Sequence, residues 1–341
     1  MNFFPNLYPD EILYSILARY HHLSGNLKVD KTMIDLYGVK CTQILDFPKI
    51  TNRLVKNIPG KYNYSEQDFI RKHSLLPYFL PFLTPKNKQQ VLKMMATNTR
   101  YRFIHSQVGY IAKSTISNHL KYCTSCLIED LNKNGESYWR RTHQAPGNFY
   151  CLDHQRILST GCEECGFHFT TKLRNKLYIL KQFCPKCGSD LTLQNHSWSP
   201  LISEFKTELI EISSEINYLF NEQNIWLDEL FTKLHNLYVK KLIEANFYEI
   251  DNKLRLRKLI YFFEKFYSRS LLELLGCDVE IGGWLRECID GEYARHPLKH
   301  LLLIKFLFGS LNGLKLQQTS LNPNTIQNGS ILSSSEIKIA A

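Results

Sequence analysis

Eight residues in the middle of the chain form four pairs at one spacing: Cys123-x2-Cys126, Cys151-x2-His154, Cys162-x2-Cys165 and Cys184-x2-Cys187. Two thiolates, or a thiolate and an imidazole, can reach one metal ion from a tight turn at this spacing. Two such pairs complete a tetrahedron, which makes the pattern a zinc signature. The last two pairs are separated by 18 residues, as in a four-cysteine zinc ribbon. The first two are separated by 24, longer than an ordinary finger, so that insertion must fold as a loop or short helix. Only Cys41, Cys277 and Cys288 fall outside the pattern. Sequential pairing gives one site of three cysteines and His154 and a second of four cysteines. A cross-braced pairing would interleave them, and His143 and His168 are nearby substitutes for His154. Disulfides are the rival chemistry, but nothing in the opening "MNFFPNLYPDEILYSILARY" marks export, and reducing cytosol disfavours them. The expectation is two structural zinc ions in a soluble, cytoplasmic protein.

A catalytic zinc keeps one position open for water, and four complete ligand pairs leave none. Cys162-x-Glu164 followed by Cys184-x2-Cys187 partly matches a zinc deaminase, but Phe183 stands where that pattern needs proline. Cys165 would also take the place of the water. No Walker loop, G-x-S-x-G elbow or two-metal acidic cluster occurs elsewhere, so no catalytic residues are assigned.

Charge points to a polyanionic partner. The chain of 341 residues carries a formal +10, and the excess is uneven. Residues 1–110 hold 15 Lys and Arg against 7 Asp and Glu, residues 111–200 hold 11 against 7, and residues 201–320 hold 15 against 17. Lys and Arg displace counterions condensed on phosphates, which makes nucleic acid the first candidate. Two clusters suit phosphate contact. Arg140 and Arg141 follow Tyr138 and Trp139 in "SYWRRTHQAPG", and Lys253, Arg255, Arg257 and Lys258 stand in "KLRLRK". In the second, Leu254 and Leu256 pack while the cations point outward.

The elements that must position these groups read as mainly α. "PDEILYSILARYHHLSG" has acids at its start, apolar residues at Ile12, Leu13, Ile16, Leu17 and Tyr20, and a stop at Gly25. "TPKNKQQVLKMMATN" starts a helix with a Thr84 cap and Pro85 in the first turn. "HSLLPYFLPFL", broken by Pro77 and Pro81, is a packed connector. In "LISEFKTELIEISSEINYLF", Ile202, Phe205, Leu209, Ile212 and Ile216 form an apolar stripe opposite a solvated acidic one. "LLELLGCDVEIGGWLREC" is compatible with a helix-turn-helix. The expected layout is an N-terminal helical, helix-turn-helix-like domain (1–115), a tandem zinc-binding domain (116–197), a C-terminal helical domain (198–315) and a flexible polar tail (316–341).

Together, "YPDEILYSILARY", "HSLLPYFLPFL" and "YCTSCLIEDLNKNGESYWRRTHQAPGNFYCLDH" resemble the TniQ/TnsD family of bacterial transposon target-selection proteins. "WLRECIDGEYARHPLKHLLLIKFLFGS" resembles the TnsD branch in particular, and the likeness covers roughly residues 1–310. The resemblance implies the same order of helical, zinc-binding and helical parts, with Cys123, Cys126, Cys151, His154, Cys162, Cys165, Cys184 and Cys187 at the family's zinc-ligand positions. It implies a bacterial, nucleoid-associated selector that binds double-stranded attachment-site DNA and recruits an AAA+ ATPase regulator, which engages the transposase complex. Other TniQ proteins dock instead on a CRISPR effector ribonucleoprotein. TnsD-type selectors usually continue well past this length, whereas here the sequence turns polar at about residue 316.

Overall fold

The computed structural model describes residues 3–41, 47–97, 104, 107–109, 119–170, 176–194, 200–221, 227, 229–249, 253–279, 283–291 and 296–319. Among these the chain is mainly helical. Leu13–Leu23 (α1) forms where Leu13, Ile16, Leu17 and Tyr20 fall on one face, and all four are buried. Gly25 follows in the left-handed conformation, and Val29–Tyr37 (α2) packs back on α1 after the short turn 24–28. Thr51–Asn57 (α3) packs on α2, and Glu66–Lys72 (α4) opens on a reciprocal capping box between Ser65 and Asp68. These helices enclose an apolar cluster of their own around Phe4, Leu17, Met33, Leu36, Leu54 and Phe69.

The proline-broken connector is packed as its composition predicts. It makes a single helical turn, Leu76–Phe79 (α5), and a tighter turn over Leu80–Phe82, with Leu76, Tyr78, Phe79 and Phe82 fully buried. Pro85–Thr97 (α6) starts where Thr84 Oγ1 accepts from the Asn87 amide at 3.1 Å.

The middle segment contains little regular structure. Thr124–Asn134 (α7) begins directly after Cys123, and Arg141–Gln144 (α8) is one turn. Tyr150–Cys151 (β1) pairs antiparallel with Arg156–Ile157 (β2), Tyr150 opposite Ile157. The C-terminal helices are Pro200–Glu204 (α9), Lys206–Phe220 (α10), Leu230–Glu244 (α11), Leu256–Tyr267 (α12), Arg269–Leu274 (α13), Trp284–Asp290 (α14), Pro297–Phe308 (α15) and Leu311–Thr319 (α16).

Hydrophobic packing is continuous across the segments. One cluster runs from Tyr78 and Phe82 through Tyr122, Trp139 and Phe169 to Leu209, Phe263, Trp284 and Leu302. Helix α10 is its centre, contacting α5, α8, β1 and α15. The acidic face of α10 is partly consumed in this packing: Glu211 pairs with Lys305, and Glu215 accepts the Leu311 amide at the start of α16.

Two expectations change. The stretch read as helix-turn-helix places residues 275–283 between α13 and α14, far longer than the three or four residues of that motif. The tighter helix–turn–helix pair is α1–α2. The polar turn at residue 316 does not end the helical part, because α16 runs through Thr319; residues 320–341, and the domain borders at 115/116 and 197/198, lie outside the described residues. No helix among the described residues is long and apolar enough to cross a membrane.

Candidate metal centres and the surfaces around them

The pairs combine in sequential order. Sγ of Cys123, Cys126 and Cys151 and one ring nitrogen of His154 gather within 4.8 Å of one another, as do the four sulfurs of Cys162, Cys165, Cys184 and Cys187. In the first cluster Cys126 and Cys151 Sγ are 3.6 Å apart, and His154 Nδ1 is 3.7, 3.4 and 3.5 Å from the sulfurs of Cys123, Cys126 and Cys151. A tetrahedral zinc at normal bond lengths separates its S and N donors by about 3.5–3.8 Å. A disulfide needs its sulfurs about 2.05 Å apart, so the geometry fits a shared ion and not a bridge. Either cluster could hold a metal ion.

The first cluster is assembled by α7 and the β1–β2 hairpin. Cys123 caps α7, Cys126 lies in its first turn, and Cys151 and His154 enter from the hairpin. Glu129, one turn further along α7, lies 2.9 Å from His154 Nε2. With Nε2–H donating to that carboxylate, the tautomer is fixed and the Nδ1 lone pair faces the sulfurs, as metal-binding histidines require. His143 is buried nearby but outside the cluster, and His168 instead stacks on His119.

The second cluster is two facing knuckles. Cys162 and Cys187 Sγ are 3.6 Å apart, and Cys165 and Cys184 Sγ 3.7 Å. Gly166 and Gly188 each follow a Cys pair with positive φ and donate back to the carbonyl of the first cysteine, closing the turn that a side chain would strain. Gln194 Nε2 donates to Cys162 Sγ at 3.3 Å, and the Lys186 amide to Cys184 Sγ at 3.4 Å. Ser189 Oγ lies 3.1 and 3.0 Å from the Cys162 and Cys187 sulfurs. Burial raises the Cys162 thiol, but hydrogen bonds from Ser189, the Cys165 backbone and Gln194 outweigh it and hold it at about 6. A thiolate is the metal-binding form.

The insertion 127–150 has a role other than the outward one expected for it. Arg140 forks onto Asp130 with bonds of 2.7 and 2.8 Å and lies over the Tyr138 ring. Arg141 binds Asp10 through Nε at 3.1 Å, donates to the Arg71 carbonyl and covers the Phe220 ring. Their side chains are only 15% and 8% exposed, so both guanidinium groups serve internal partners. Trp139 is buried against Tyr122 and Phe169, with Nε1 donating to the Tyr178 carbonyl at 2.7 Å.

These residues join the first helical unit to the metal module. Asp10 takes the left-handed conformation that aspartate tolerates, and its carbonyl and carboxylate receive the amides of Arg141 and Thr142. Ile12 N donates to Trp139 O, and Trp139 N donates to Ser15 Oγ. Arg19, almost fully buried, bridges Glu11 at 3.0 Å and Glu136 at 2.7 Å. "PDEILYSILAR" and "GESYWRRT" are thus two halves of one latch. Sequence reading missed Asp10, Glu11, Asp130 and Glu136 here: Asp10–Arg141 and Glu136–Arg19 span more than a hundred residues, and Glu11–Arg19 and Asp130–Arg140, eight and ten residues apart, fall outside the i,i+3 and i,i+4 spacings that sequence shows. Glu129 did carry a signal: a carboxylate three residues after Cys126 on the same helix face.

The "KLRLRK" cluster divides. Arg255 donates to Asn246 Oδ1 at 3.2 Å, and Lys258 to the Asn246 carbonyl at 3.0 Å, clipping the preceding turn. Lys253 and Arg257 are exposed. Arg257 continues along α12 as an exposed row with Tyr261 and Lys265, each four residues on, with exposed Phe266 beside it.

Residues 2–158 match the family model described as TniQ, and residues 212–328 the model described as Tn7-like transposition protein D. Among curated proteins the chain is similar to the transposon Tn7 transposition protein TnsD of Escherichia coli, 27% identical over 160 residues. That alignment covers 46% of this chain and 31% of the relative, so the match spans about a third of the relative's length. With both regions present in order, the chain belongs to the TniQ/TnsD family.

Proposed function

We propose that this chain selects target sites for DNA transposition, binding attachment-site DNA and recruiting an AAA+ ATPase regulator and, through it, the transposase. The observation that carries the reading is the union of a TniQ region and a TnsD-type region in one chain. The TnsD-type region includes the exposed basic–aromatic row of α12, which supports direct DNA contact over docking on a CRISPR effector. Two zinc ions hold the middle module. Four protein donors gather at each cluster, which supports a closed, structural site over a catalytic one.

In this reading Arg257, Lys265 and Lys253 meet phosphates, while Tyr261 and Phe266 supply flat apolar contact. Arg140 and Arg141 act indirectly, by fixing the first helical unit against the metal module. The test is binding to attachment-site DNA across a salt series. Replacing Arg257 and Lys265 with Ala should weaken binding and lower the slope of log affinity against log salt by about one per residue. An unchanged slope in a folded, zinc-replete variant would remove α12 from the interface.

A further inference from the structure

The α1–α2 turn and the second knuckle enclose a groove of about 510 Å³ to which the metal sites and the latch assign no role. One wall is α1 with His21 and His22; the other carries Leu177, Ile179, Lys181 and Phe183. Residues 176–181 run without turn or bend. At Tyr178 the backbone amide donates to Tyr14 Oη and the carbonyl accepts from Trp139 Nε1, so both face the body of the protein. In extended backbone the polar groups of successive residues point to opposite edges. Those of Leu177, Ile179 and Lys181 therefore point away from Tyr14 and Trp139, and among the described residues they make no hydrogen bond. An unpaired strand edge is a template for another strand.

We propose that this edge and groove take an extended segment of a protein partner, added as a β-strand, whose apolar residues alternate with Asp or Glu. Charge complementarity selects that chemistry. Lys181 lines the groove, Lys176 and Lys186 are exposed next in sequence to the lining residues Leu177 and Pro185, and among the described residues no acidic one lines it. Phe183, Leu23 and Leu27, exposed by 55%, 55% and 98%, offer apolar contact in the wall and beside the α1–α2 turn. The phosphates of a nucleic acid would pair with the lysines and accept from the amides but leave the main-chain carbonyls of Leu177, Ile179 and Lys181 without donors, whereas an added strand supplies both.

The test is selection of short peptides from a random display library on the full, zinc-loaded chain, followed by anisotropy measurements on the enriched sequences. The expected peptides alternate apolar and acidic residues. N-methylating alternate amides in one phase should weaken binding about tenfold, the loss of one or two main-chain hydrogen bonds, while the other phase changes little. Lys181→Glu should also weaken it severalfold, and Ile179→Pro should weaken it with zinc content unchanged. The N-methylated peptides keep the test independent of whether Ile179→Pro folds. The proposal is overturned by no enrichment, by indifference to N-methylation in both phases, or by equal competition from oligothymidylate. It is also overturned if the Ile179 and Lys181 amides already resist hydrogen exchange in the chain alone, which would mean that a segment of the chain itself covers the edge.

Discussion

The two metal clusters have nearly the same donors and very different settings. In the first, the three sulfurs are fully buried with Leu158, and the insertion between its ligand pairs is packed into the main core through Trp139 and tied by Arg140 and Arg141. In the second, Cys187 is exposed and Cys165 half-buried, and its support is local: Ser189, Gln194 and the glycine turns. A zinc ion stabilises whatever its ligands are attached to. An ion in the first cluster would therefore bear on the joint between the helical unit and the rest of the chain, and one in the second on two knuckles.

The largest effect should separate the clusters directly. Cys126→Ser removes a site whose analogues contribute about 10–16 kcal/mol in small zinc modules, and should abolish cooperative melting of the whole chain. Cys187→Ser should lower zinc content from two ions to one and leave that melt in place. Metal analysis with calorimetry reads both, and identical melts for the two variants would sink the asymmetry.

Next in size is the latch. Asp130→Ala leaves Arg140 as an unpaired buried cation and should cost about 3–5 kcal/mol in denaturant unfolding. Lys186→Ala, beside the second cluster, should shift the midpoint little, since Lys186 is exposed. Glu129→Gln tests the orientation of His154: zinc affinity of the first site should fall by about 10–100-fold in a chelator competition, with the second site unaffected.

The smallest effect concerns Glu11. Burial pushes its carboxyl up from 4.5 to about 7 against the pull of Arg19, Ser15 and the Tyr8 amide. Between those values the folded chain holds a proton that the unfolded chain has lost. This contribution to stability is therefore full below pH 4.5 and declines as pH rises through 7. Taking the difference between wild type and Glu11→Gln isolates this term from metal loss in acid. A difference that stays flat from pH 4.5 to 7.5 would show that the latch does not titrate there.

Several helices and the donor chemistry of the clusters were legible in local sequence. Apolar period placed α1 and α10, Thr84 marked the start of α6, and the two-residue spacing picked out the eight residues that gather into two clusters able to hold a metal ion, because these are local constraints within a turn or a helix face. Tertiary structure decided what spacing leaves open. Sequential and cross-braced pairings satisfy the same spacing, and only the approach of the β1–β2 hairpin to α7 separates them. Arg140 and Arg141 have the composition of a phosphate-binding pair. They became a latch because Asp130, Asp10 and Phe220, distant or unremarked in the sequence, close around them. Whether a cation faces solvent or a carboxylate depends on the path of the rest of the chain, and local sequence does not encode that path.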